Sequence, residues 1–136
     1  MVDMPEVVFN TMNDQKAFKV LSTITEEGNV HAIQVGAIAA PAPNMIAIGA
    51  ILMQHTSKNL ESMQKKGQKA AVIMGKETDS YQVKASVQDY QTEGPVFEGM
   101  AIEVKKLGLD LRGVWILQPE EVWNQSASYE AGKKMV

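Results

Sequence analysis

Six consecutive residues, Gln54-His55-Thr56-Ser57-Lys58-Asn59, set one imidazole, two hydroxyls and one ammonium where an apolar run gives way to helical spacing. A helix start carries N–H groups without intrahelical acceptors and the positive end of the helix dipole, so it favours an anion. Hydroxyl donors and cationic side chains at such a start suit a phosphate group. The same residues also read as a helix cap, Thr56 or Ser57, with His55 and Lys58 as solvated neighbours. Spacing alone does not choose between the two.

Other chemistry finds less support. His31 and His55 are the only histidines, and the nearest carboxylate in sequence, Glu27, lies across a turn from His31, so no metal set is completed. Cysteine is absent, which removes thiolate metal sites, thiol catalysis and disulfides together. Ser57 lacks the Gly-x-Ser-x-Gly setting of a hydrolase nucleophile. Glu26-Glu27 and Glu120-Glu121 fall at turns, and Lys105-Lys106 and Lys133-Lys134 on solvated faces. Thirteen Lys and Arg against sixteen Asp and Glu give a net charge of −3, with no basic excess for a nucleic-acid backbone. Trp115 alternates with Val114 and Ile116 as a core or interface residue. Trp123 follows Pro119-Glu120-Glu121-Val122 at a strand end, where an aromatic ring can cover a flat ligand, though core packing is the default for both.

The elements that must position these residues are mostly strands. Pro5 opens a short helix to about Asn13. Residues 17–25 and 30–39 read as hairpin strands joined by Glu26-Glu27-Gly28-Asn29. Ala40-Pro41-Ala42-Pro43-Asn44 is a breaker, and residues 45–52 form a third strand that is apolar on both faces. Leu60 and Met63, with Glu61 four residues before Lys65 and Gly67 as a stop, predict a helix of about ten residues. Residues 68–75 are a fourth strand. Strict alternation of Tyr81, Val83, Ala85 and Val87 with polar neighbours marks a fifth. A helix from Thr92-Glu93-Gly94-Pro95 to Gly108, with an apolar face of Phe97, Met100, Ala101, Val104 and Leu107, precedes a sixth strand that Pro119 ends.

With 136 residues, 45% hydrophobic and 21% charged, the chain forms one domain over 1–136, with residues 124–136 as a loose helix or arm. Six hairpin-connected strands and short helices predict a mainly β fold, a small antiparallel barrel. The doubly apolar third strand implies that a second copy of the chain covers its outer face. No secretory leader is seen in the first twenty residues, and the longest apolar run is broken at Pro41, Pro43 and Asn44, short of the roughly 20 residues of a membrane helix. The expectation is a cytoplasmic protein without nucleic-acid or membrane partners.

Four stretches, taken in order, carry a resemblance. They are Thr23-Ile24-Thr25-Glu26-Glu27-Gly28 leading to His31, then His55-Thr56-Ser57-Lys58-Asn59-Leu60, then Tyr81-Gln82-Val83-Lys84-Ala85-Ser86, and Thr92-Glu93-Gly94-Pro95 with Phe97-Glu98. Over residues 16–123 the chain resembles the FMN-binding split-barrel proteins related to pyridoxamine 5′-phosphate oxidase, above all the short bacterial FMN-binding proteins. The resemblance implies a six-stranded antiparallel split β-barrel that dimerises and holds FMN between the two chains. It puts Gln34, Val35 and Gly36 beside the isoalloxazine, with Gly49 and Ala50 on the next strand. His55, Thr56, Ser57, Lys58 and Asn59 fall at the phosphate, and Trp123 shields the ring from the partner subunit. The oxidase carries Lys or Arg where this chain has His55, and Lys58 follows as a charge partner. Residues 30–39 hold no Lys or Arg, so the oxidase's substrate-binding set is not matched. The expected function is that of a flavin-dependent oxidoreductase with a small-molecule or protein redox partner. The alternatives are a non-catalytic electron carrier or flavin store, or a deazaflavin- or haem-binding barrel.

Overall fold

A computed structural model describes residues 1–136. Helix α1 (Glu6–Met12) leads into β1 (Phe18–Ile24), β2 (Val30–Gln34), β3 (Ile38–Ala42) and β4 (Met45–Ala50). Helix α2 (Gln54–Lys66) follows, then β5 (Lys69–Lys76), β6 (Asp79–Gln91), α3 (Pro95–Lys106) and β7 (Gly113–Asn124). The strands form one antiparallel sheet in the order β2-β1-β5-β6-β7-β4-β3, curved but not closed.

The architecture is the expected mainly β split barrel, with seven strands where six were expected. The extra strand arises because the predicted second strand breaks at residues 35–37. Its first half pairs with β1 at one sheet edge and its second half with β4 at the other. The expected breaker holds only at its end, between Ala42 and Met45. Pro41 lies in edge strand β3, where a missing N–H removes no necessary ladder bond, and Pro43-Asn44 makes a tight link between paired Ala42 and Met45. Pro119 does not end the last strand either. It faces Ala85 at a register shift, and β7 continues to Asn124, so Trp123 stands within the strand.

The inner faces of β1, β5, β6 and β7 contribute Leu21, Val72, Val83 and Leu117 to the main core, which α1 closes with Val8 and Met12 and α2 with Leu60 and Met63. Strand β4 is buried on both sides, as its composition predicted. Its outer face, however, meets α3 of the same chain: Ala47 joins Val114 and Ile116 under Phe97 and Met100. Intrachain cover thus replaces the second copy expected there. The tail also differs from a loose arm. It folds back on β7, with Val122 N–H donating to Val136 O at 3.0 Å and Asn124 N–H to Lys133 O at 2.9 Å. No helix is long and apolar enough to cross a membrane.

On the opposite face of the sheet, register aligns Gln34, Val20, Ile73, Gln82 and Trp123 in one row across β2, β1, β5, β6 and β7. Strand spacing separates the ends of that row by about 19 Å. The next row is Ala32, Ser22, Ala71, Lys84 and Glu121. Helices α1 and α2 pack on the main core and α3 on the smaller cluster, away from these rows.

Candidate functional site

The three residues between β2 and β3 form a seam between the sheet edges. Val35 N–H donates to Lys19 O at 3.0 Å, and Ala37 O accepts from Gly49 N–H at 2.7 Å, which ties the seam to β1 on one side and β4 on the other. Gly49 sits where a side chain does not fit: an added Cβ would stand 2.9 Å from Met100 Sδ and 3.1 Å from Ala37 Cβ. Gly36 between the two ties is exposed. The seam thereby offers backbone and small side chains to anything bound against it.

Helix α2 begins directly opposite. Its leading amides are partly satisfied, Gln54 N–H by Leu52 O and Ser57 N–H by Met53 O, while those of His55 and Thr56 find no acceptor within the chain. No acidic residue stands in its first turn. These two free donors, with the helix dipole behind them, are suited to an anion. His55 is exposed and its ring centroid lies 6.5 Å from that of His31 on β2.

Two depressions flank the helix start. The smaller, about 450 Å³, is bordered by the seam, by His31 and Gly49, and by His55 and Thr56. The larger, about 650 Å³, lies on the other side of His55 and is bordered by Ala50, Ser57, Lys58, Tyr90, Arg112 and Trp115 among others. Ile51, Met53, Gln54 and His55 belong to both. No group of three or more His, Cys, Asp or Glu stands close enough to hold a metal ion.

Of the residues singled out in the sequence, Gln34, Val35, Gly36, Gly49, His55 and Thr56 meet in the smaller depression, and Ala50, His55, Ser57 and Lys58 in the larger. Thr56 is almost fully buried. The Ser57 hydroxyl accepts a bond from Trp115 Nε1 at 3.2 Å. Asn59 borders neither depression: it is buried, and its Nδ2 donates to Thr23 Oγ1 at 3.1 Å. Trp123 is also away from both, on the opposite sheet face, with Lys84 Nζ 5.7 Å and Lys134 Nζ 6.0 Å from its ring centroid. Its Nε1 is buried without an acceptor. Arg112 and Tyr90 were missed. Tyr90 ends an alternating strand and gave no local signal, whereas Arg112 is the only arginine in the chain, which could have drawn notice.

An open, curved antiparallel sheet with a strand-to-helix cleft beside a seam defines a split-barrel fold. The fold is that of the pyridoxamine 5′-phosphate oxidase-like split barrels. The chain is similar to Group A Streptococcus HupZ, at 16% identity and TM-score 0.77, over 97% of this chain and 100% of that one. It is similar to an FMN-binding protein from Syntrophomonas wolfei, at 13% identity and TM-score 0.74, over 90% and 88% of the two chains. A candidate pyridoxamine 5′-phosphate oxidase from Lactobacillus delbrueckii matches at 17% identity and TM-score 0.68, over 89% and 93%. Similar structures also include an F420 reductase and the haem storage protein HutZ from Vibrio cholerae, so the likeness defines the fold and leaves the cofactor open. No family model and no curated protein matches the chain by sequence.

Proposed function

We propose that this chain binds FMN between two copies of itself and acts as a flavin-dependent oxidoreductase. The observation that carries this reading is the meeting, in one cleft, of an apolar backbone-rich seam with two helix-start amides that lack acceptors. A flat heteroaromatic ring suits the first and a phosphate the second. Gln34, Val35, Gly36 and Gly49 would border the ring, and the amides of His55 and Thr56, with the side chains of His55 and Lys58, would hold the phosphate. The residues present therefore fit the group. Bound FMN supplies the electron-transfer chemistry, and the chain binds it, orients it and excludes water.

The second copy has its own support. The row from Gln34 to Trp123 is left without helical cover, and a two-fold docking of this face on itself exchanges the two ends of the row. Trp123 of one copy then approaches Gln34 of the other.

The absorption spectrum of the protein as isolated, with mass analysis of any released ligand and FMN titration of stripped protein, tests the reading. A yellow preparation, or stripped protein that quenches FMN fluorescence with one site per chain, is expected. Colourless protein that ignores added FMN overturns it. Reduction by a nicotinamide donor without a protein partner separates an enzyme from an electron carrier. The pairing of the chain's two histidines at 6.5 Å favours haem as a second reading for the same cleft, which a Soret band would reveal.

A further inference from the structure

We infer that the larger depression is a second ligand site, built for a planar organic anion that sits beside the proposed flavin slot. Two elements converge on it beside the start of α2: Tyr90 from the end of β6 and Arg112 just before β7. Arg112 is anchored by its own backbone, whose N–H donates to Ala50 O at 2.9 Å. It is the only arginine, and its guanidinium is paired with no carboxylate. The one acidic side chain on the rim, Glu61, is paired with Lys65 at 3.4 Å. A cation free of intrachain partners, with a planar fork matched to carboxylate or phosphate oxygens, gives the depression its charge preference.

The aromatic wall gives it a shape preference. Tyr90 packs on Trp115 with ring centroids 4.7 Å apart and planes tilted by 49°, and 39% of Tyr90 is exposed. Trp115 is fixed beneath by its bond to Ser57 Oγ. Gly113 makes this seat possible, because a Cβ there would stand 2.2 Å from the Tyr90 ring. At about 650 Å³ the space accommodates a small organic molecule on its own, as does the neighbouring 450 Å³, so two ligands can lie side by side across Met53, Gln54 and His55.

As an anion site the proposal stands alone; as the place of the flavin's substrate it rests on the FMN reading. Calorimetric titration with 1-naphthoate, with neutral 1-naphthalenemethanol and inorganic phosphate as comparisons, tests it in the full chain. Naphthoate should bind more tightly than either, and Arg112→Gln should weaken it at least about tenfold while leaving FMN affinity unchanged. Tyr90→Leu should weaken naphthoate and spare phosphate. Absence of naphthoate binding, or binding indifferent to Arg112 or to the carboxylate, overturns the site. An equal loss of FMN affinity in Arg112→Gln also overturns it, because the depression would then belong to the flavin phosphate. Arg112-dependent naphthoate binding in a protein that ignores FMN sustains the anion site and removes the flavin reading.

Discussion

Asn59 Nδ2 donates to Thr23 Oγ1 at 3.1 Å in the buried joint between α2 and β1. His55 lies one helical turn before Asn59 on the same face, and His31 is the cross-strand partner of Thr23. The bond therefore sets the start of α2 over β2 and brings two histidines 24 residues apart in sequence into one cleft. Asn59, expected at a ligand's phosphate, borders neither depression and holds this joint instead.

Replacing Asn59 by Leu removes this donor from a buried joint. A loss of about 1–3 kcal/mol in unfolding free energy is expected, with weaker FMN binding, by denaturant titration and fluorescence quenching. Unaltered FMN affinity in a destabilised variant would show that the joint does not govern the helix start.

The phosphate anchor is tested by His55→Gln with Lys58→Gln. If both side chains serve the phosphate, FMN affinity falls by about 2–4 kcal/mol, while riboflavin, which has no phosphate, is bound as before. Equal losses for both flavins would place the two side chains at the ring.

The uncovered sheet face is tested by Ile73→Glu at the middle of the Gln34-to-Trp123 row. Sedimentation should show a dimer for the parent chain and a monomer for the variant, whose FMN affinity should drop with it. A parent chain that sediments as a monomer with FMN bound would sink the interface.

At Gly113, an added methyl group must expel the Tyr90 ring. Gly113→Ala is expected to cost about 1–3 kcal/mol through overpacking and to abolish the contact between Tyr90 and Trp115, visible as lost cross-peaks between the two rings by NMR.

The Asp14 carboxyl is held below its ordinary pKa by the Lys16 backbone N–H at 2.9 Å and by the Lys76 ammonium at 3.4 Å. Its contribution to stability is therefore complete above the unfolded pKa and fades as pH falls through the lower folded value. Asp14→Asn should be less stable than the parent near neutrality, and thermal melts of the two should converge in acid below the ordinary carboxylate range. Parallel melting curves across that range would exclude the linkage.

Much of the fold was legible because its signals are local. Alternation from Tyr81 to Val87, the Gly28 turn and the Gly67 stop depend on neighbours within a few residues, and each stands where the sequence put it. The errors came where distant pairing decides. A lone glycine, Gly36, marked the break between β2 and β3, yet Pro41 drew the reading, and proline is harmless at a sheet edge. Pro119 misled for the same reason: a register shift absorbs it. The cover on β4 could not be read from its own residues, since a partner chain and α3 satisfy the same apolar face. In the site, the strand and helix-start residues were found by motif, whereas Arg112 and Tyr90 join the cleft only through the pairing of β6 and β7 with the rest of the sheet.

The seam has a kinetic consequence. Strands β1 and β2 close as one local hairpin and β3 and β4 as another, with only residues 35–37 between them, so each can zip up early and independently. The cleft between the two hairpins is complete only when β5, β6 and β7 connect them, a non-local pairing that closes more slowly than either hairpin. A small molecule lodged there adds its binding free energy to the finished state alone, and so raises the melting temperature in proportion to the logarithm of its concentration over its dissociation constant.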